Sequence, residues 1–165
     1  MSQTTTNVAS RSLEGAVFAG KYLTFHTGET IYGIPLENIL EIIGIQTATK
    51  VPGIPPFVKG IINLRGRIVP VIDVRLKIGA PAIEYDERTC IIVISWHDSL
   101  VGLIVDRVAE VNDFKNEQIS AIPEFSNINT NKYLSSICRF GERLVLILDC
   151  DKFLMDDMGS SVAAI

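Results

Sequence analysis

Histidine, aromatic residues and excess basic charge are all scarce in this chain, and each shortage removes a class of function. Only two histidines occur, His26 and His97. His26 falls in an apolar alternation, where a lone strand histidine is structural. His97-Asp98-Ser99 sets three triad residue types side by side, but consecutive side chains diverge and cannot converge on one atom, so the segment reads as a turn. No two glycines are separated by a single residue, which removes the GxG loops that cradle phosphates and dinucleotides. The three cysteines, Cys90, Cys138 and Cys150, form no CxxC and lie in apolar runs. They read as small core residues of a protein from the reducing cytosol, not as zinc ligands. Acidic residues are scattered without EF-hand spacing. No catalytic residue, metal site or cofactor is expected.

Fifteen basic against nineteen acidic residues leave a net charge of −4, and aromatics make up 7%. A nucleic-acid-binding barrel needs a basic groove and stacking platforms, so that class is disfavoured. No run reaches the ~18 apolar residues of a membrane-spanning helix, and the N-terminus lacks the basic-then-apolar order of a signal peptide. What is present is an apolar fraction of 47% over 165 residues, enough to bury roughly two-thirds of the unfolded chain's surface without disulfides or metals.

Residues 1–20 are rich in Ser, Thr, Gly and Ala and read as a flexible arm, and 156–165 as a loose tail. Between them short apolar runs bounded by Gly, Pro, Asp or Asn recur at 23–25, 31–34, 60–64, 68–72, 90–94, 100–105, 134–138 and 144–148. That spacing is the mark of an all-β barrel or sandwich. Helical period is rare: residues 36–43 predict one or two turns, and 151–155 a short closing helix.

The chain also repeats itself. Residues 22–42 align with 91–111 at an offset of 69, matching Gly33 to Gly102, Glu37 to Asp106 and Glu41 to Glu110. Ile54-Pro55-Pro56-Phe57 resembles Ile122-Pro123-Glu124-Phe125, and 67–73 resembles 143–149 at an offset of 76. The spacing places about eight extra residues after Phe125. Two related β modules follow, with a boundary near residues 79–88, where Gly, Ala and Pro give way to charge. Strands exchanged across that boundary are compatible with the pattern.

Two charged residues stand among apolar ones: Glu41 in Ile39-Leu40-Glu41-Ile42-Ile43, and Arg65 in the run 59–70. Glu41 reads either as the exposed member of an amphipathic turn or as a partner contact. Arg65 reads either as a hairpin-turn cation or as a hot spot, since Arg with apolar neighbours on a rigid scaffold is common at protein interfaces.

The segment KGIINLRGRIVPVIDVR (59–75) resembles the signature of the bacterial chemotaxis coupling protein (CheW) family. YLTFHTGETIYGIPLENILEIIG, VPGIPPFVKG, YDERTCIIVISWHDSLVGLIVDRVAEV and FGERLVLILDCDKFL fit it in order and spacing over residues 21–155. The resemblance implies two five-stranded SH3- or OB-like β barrels packed side by side, with few short helices. It implies a non-enzymatic adaptor joining chemoreceptor cytoplasmic tips to the histidine kinase CheA, whose regulatory domain shares the fold. The receptor tip is expected in an apolar groove at Ile39, Glu41, Ile42, Gly60, Asn63 and Arg65, and the kinase at Val101, Leu103 and Val108. It further implies a cytoplasmic protein in receptor arrays at the inner membrane, without insertion into the bilayer. A paralogous coupling protein of gliding or twitching motility is the alternative within the family.

Overall fold

Hairpins form where the sequence offers two apolar alternations around a tight turn. In the computed structural model, which describes residues 20–123 and 132–155, β1 (Gly20–Thr27) and β2 (Thr30–Pro35) meet at Gly28-Glu29. β6 (Cys90–Trp96) and β7 (Ser99–Val105) meet at His97-Asp98, both left-handed at φ 49° and 63°. β4 (Val58–Leu64) and β5 (Arg67–Asp73) meet at Arg65-Gly66, also left-handed, where Asn63 Oδ1 accepts the Gly66 N–H at 2.8 Å. Two positive φ angles in succession match the right-handed twist of the paired strands.

Each repeat adds further elements. The first has β3 (Ile39–Gly44), reached through a 3-10 turn at Leu36–Asn38, and helix α1 (Val74–Lys77). The second has β8 (Arg107–Phe114), β9 (Ile119–Ser120), β10 (Leu134–Phe140), β11 (Arg143–Leu148) and helix α2 (Cys150–Met155). Each helix starts beneath an aspartate: Asp73 Oδ1 accepts from Leu76 N, and Asp149 Oδ1 from Lys152 N.

The two sheets mix the repeats. One runs β8-β1-β2-β11-β10-β9 and the other β3-β6-β7-β5-β4. The hairpin β1–β2 therefore sits with the second repeat's β8–β11, and β6–β7 with the first repeat's β3–β5. The duplication holds to the residue. Val108 pairs with Phe25 as Ile39 pairs with Ile94, and Val111 with Leu23 as Ile42 with Ile92, and both pairings slip register at the same place. Val58–Ile72 and Leu134–Leu148 likewise precede equivalent bulges. Gly33 and Gly102 lie at matching points of matching parallel pairings. An added Cβ would come within 2.8 Å of Ile147 Cδ1 at Gly33, and within 2.7 Å of Ile91 Cγ2 at Gly102.

Both sheets close. The chain beyond β3 pairs back to β4 through the Thr49–Ile61 bridge, and the chain beyond β8 pairs back to β10 through β9. Sheet closure removes the open edges that invite aggregation. One barrel counts six strands because the 3-10 turn Asn116–Gln118 splits its bent strand into β8 and β9.

Three apolar clusters follow. Ile62, Leu64, Val69, Val71, Ile91, Val93, Leu100 and Ile104 fill one barrel, while Tyr22, Phe114, Cys138, Val145 and Ile147 fill the other. The third, including Phe25, Ile34, Ile92, Ile94, Val101 and Leu103, draws on both sheets and joins the barrels. Strand β7 is buried on both faces, which explains its unbroken apolar run.

Two expectations change. Residues 39–44 form a strand, not helix: tertiary pairing with β6 overrides a period short enough to fit either form. The stretch near 79–88 joins α1 to β6 within one barrel; the chain changes sheet at 36–38 and at Asp106, because each third strand completes the other repeat's hairpin. Tyr133 stands where Phe57 stands: Asp73 N donates to the Phe57 carbonyl and Asp149 N to the Tyr133 carbonyl, each at 2.8 Å. Phe125, residues 1–19 of the expected arm and the tail lie outside the described residues, while Gly20, expected in the arm, begins β1. The closing helix is present at Cys150–Met155.

Candidate functional site

The side chains of β3, at one end of its sheet order, alternate between that barrel's packing and the surface. Ile39, Glu41 and Ile43 are half-buried, while Leu40 and Ile42 remain 57% and 43% exposed. Glu41 Oε2 accepts a hydrogen bond from Arg65 Nη2, linking β3 to the tip of the β4–β5 hairpin. Ile68, 62% exposed, lies at that tip opposite Asn63. The result is a closed barrel that carries an ion pair at its surface and, at Leu40, Ile42 and Ile68, exposed apolar side chains. An ion pair this exposed is worth ~0.2–1 kcal/mol, so its geometry matters more than its contribution to stability.

The other expected receptor positions divide by role. Asn63 is exposed, and its side chain caps the hairpin turn. Gly60 is buried at φ 139°, and a Cβ there would lie 2.2 Å from the Thr49 carbonyl oxygen. Gly60 thus admits the backbone that closes the barrel and offers no side chain to a partner. Ile39 packs against the shared core.

Of the expected kinase positions, Val101 and Leu103 are buried at 0% and 1% exposure, in the cluster that joins the barrels. A strand with both faces covered cannot present these side chains at a surface. Val108 is half-buried on β8. The second barrel instead exposes Val111 and Leu144, at 49% and 57%, at the repeat positions of Ile42 and Ile68. The signal for these two was the repeat itself, carried on to the exposed residues.

Among the described residues two open hollows stand out, the first of them reaching Leu144. One, about 800 Å³, is lined by His26, Arg107 and Arg143 among others. Burial, then Arg107 and Arg143, lowers the His26 pKa. The other, about 370 Å³, is lined by Glu37, Asn38, Trp96, His97, Asp149 and Asp151 among others. Burial favours the protonated form of both the Cys150 thiol and the Tyr22 hydroxyl at this second hollow. Burial pushes the Cys150 thiol up to about 12, with Asp149 and Asp151 adding to it against the Asn38 hydrogen bond. Burial, Cys138 and Glu37 push the Tyr22 hydroxyl to about 12. Among the described residues no three His, Cys, Asp or Glu side chains are placed to hold a metal, and no helix is long and apolar enough to cross a membrane.

Comparison with known proteins agrees with this architecture. The CheW-like domain model matches residues 21–158. Chemotaxis protein CheW of Klebsiella aerogenes is 37% identical over 145 residues, covering 88% of this chain and 87% of that protein. The Bacillus subtilis chemotaxis protein CheW is 34% identical, covering 88% and 92%. The crystal structure of the scaffolding protein TtCheW from Thermoanaerobacter tengcongensis superimposes with a TM-score of 0.78 at 28% identity, over 86% of this chain and 96% of that one. Duplicated barrels, a shared core and a signature hairpin tied to β3 therefore belong to a member of the CheW family, a chemotaxis scaffold protein.

Proposed function

We propose that this chain is a non-enzymatic adaptor that couples the cytoplasmic helical tips of chemoreceptors to the regulatory domain of the histidine kinase CheA, in arrays on the cytoplasmic side of the inner membrane. The observation that carries this reading is one barrel that presents both the Glu41–Arg65 pair and exposed apolar side chains at Leu40, Ile42 and Ile68. A helix binds through apolar anchors at helical spacing framed by a few charges, and a closed barrel holds those anchors without an ordering cost. Ile39, Glu41, Ile42, Asn63 and Arg65 form the receptor surface, with Gly60 supporting it from within. The kinase surface lies on the second barrel around Val108, extended by Val111 and Leu144. Val101 and Leu103 support it only by packing the barrels together. Control passes as geometry, because an adaptor that binds one arrangement of receptor and kinase better shifts the population toward it.

Separate binding assays with a receptor cytoplasmic fragment and with the CheA regulatory domain test the reading. Both partners should bind, and together they should give a ternary complex. Failure of either to bind the wild-type chain would overturn it.

A further inference from the structure

Helix α1 follows β5 in the first barrel and α2 follows β11 in the second, each beneath its aspartate. The Phe57 and Tyr133 carbonyls accept from the amides of those aspartates, so Phe57 and Tyr133 are twins. Four residues beyond each aspartate the twins differ in kind. On α2 stands Phe153, whose ring meets the Tyr133 ring edge-on at 5.2 Å. On α1 the same place holds Lys77. One repeat closes with two rings, the other with a ring and an ammonium.

Lys77 is only 7% exposed. Its Nζ lies 4.4 Å from the Phe57 ring centroid, 5.2 Å from that of Tyr133 and 6.0 Å from that of Phe153. These distances fall within the ~6 Å over which a ring face attracts a cation. Phe57 belongs to the first barrel, Tyr133 and Phe153 to the second. All three rings are part of the apolar cluster that joins the barrels, so the ammonium sits in the boundary itself. Two residues earlier on α1, Arg75 makes a second tie. Its Nε and Nη2 donate to Asp106 at 3.0 and 2.8 Å, where the chain crosses from β7 to β8, and Asp106 Oδ2 accepts from Gly28 N of the second barrel at 2.7 Å.

Apolar packing and a buried cation constrain the boundary differently. Hydrophobic burial is non-directional, so two apolar faces can shift and trade one methyl contact for another. A cation–π contact is tied to ring faces, and a shift that withdraws them leaves a desolvated charge less compensated. A buried charge can single out one arrangement in this way even where apolar packing would be as stable. We propose that Lys77 is a positioning residue, through which α1 locks the orientation of one barrel against the other. That orientation sets the distance and angle between the receptor surface on the first barrel and the kinase surface on the second. This consequence rests on the function proposed above; the lock itself does not.

Backbone N–H residual dipolar couplings of the isotope-labelled full-length chain read the lock without either partner. In wild type, couplings from both barrels should fit one alignment tensor. K77M keeps the length and apolar stem of the side chain and removes its charge. In K77M each barrel's couplings should still fit alone, and the joint fit to the structure should fail. A role in folding alone would lower stability and leave the joint fit intact. If K77M does not fold, F57L, which removes the nearest ring face and keeps the lysine, should give the same split. K77M should bind each partner alone within about twofold of wild type, as expected of sites distant from the change. It should lose at least about fivefold of the coupling between receptor and kinase, the low end of allosteric coupling. A wild-type chain that needs two tensors, or a folded K77M or F57L that fits one as wild type does, would overturn the lock. K77M coupling receptor to kinase like wild type would overturn the positioning role. A wild-type chain that binds neither partner would overturn the proposed function, and the tensor fits would still decide the lock.

Discussion

Glu41 and Arg65 tie strand β3 of one barrel to the tip of its signature hairpin across 24 residues of sequence. Arg65 keeps 70% of its side chain exposed and Glu41 29%, so the pair is a surface feature held in a set orientation. Arg65→Ala should therefore change unfolding free energy by no more than about 1 kcal/mol while weakening receptor binding. Denaturant unfolding and a receptor-fragment binding assay check it. An early-unfolding variant would make Arg65 structural.

Glu41→Lys and Ile42→Ala should separate the two partners. Charge reversal at 41 sets a lysine against Arg65, and truncation at 42 removes an exposed anchor. Each should reduce receptor affinity by about 1 kcal/mol or more, the scale of an interface hot spot, and leave kinase binding intact. Equal loss toward both partners would mean that their surfaces are not distinct.

Val101 and Leu103 should behave as core residues. Truncation of Leu103 to Ala should cost about 2–5 kcal/mol of stability, because it leaves a cavity between the barrels. Val101→Ala removes less volume and should cost somewhat less. Val111→Ala and Leu144→Ala, on the exposed face of the second barrel, should stay within about 0.5 kcal/mol of wild type and weaken kinase binding instead. Thermal unfolding alongside kinase pull-down distinguishes the two sets.

Gly60→Ala should destabilise the first-closing barrel strongly, since its Cβ would fall 2.2 Å from a backbone oxygen at a left-handed φ. Gly28→Ala meets only the end of the Arg75 side chain, at 3.5 Å, and should be milder. Hydrogen exchange at the Thr49 and Ile61 amides, which bond each other's carbonyls at 2.8 and 2.9 Å, should rise in Gly60→Ala and stay protected in Gly28→Ala.

Two thiols should be unreactive in the native state. Burial pushes Cys138 up to about 11 and Cys150 up to about 12, so the nucleophilic thiolate is nearly absent at pH 8. Alkylation at pH 8 followed by peptide mass mapping should leave both unmodified until denaturant is added. Labelling of native Cys150 at the rate of a free thiol would contradict its placement.

The sequence by itself determined the class of fold and the duplication. Alternating apolar runs between turn residues are local signals, and Gly33 and Gly102 mark the same close approach in both copies. The hairpins and the closing helix were legible for that reason, as was the peculiarity of Glu41 and Arg65. Tertiary structure decided what depends on which strand lies beside which. Residues 39–44 had a period that fits helix or strand, and only pairing with β6 resolved it. The exchange of hairpins between repeats leaves no local trace, because a strand's side-chain pattern does not say whose edge it will join. Val101 and Leu103 looked like any apolar strand residues, and their burial follows from the second barrel covering the outer face of the first. The contact of His97 with Asp151 also required the fold, because 54 residues of sequence separate them.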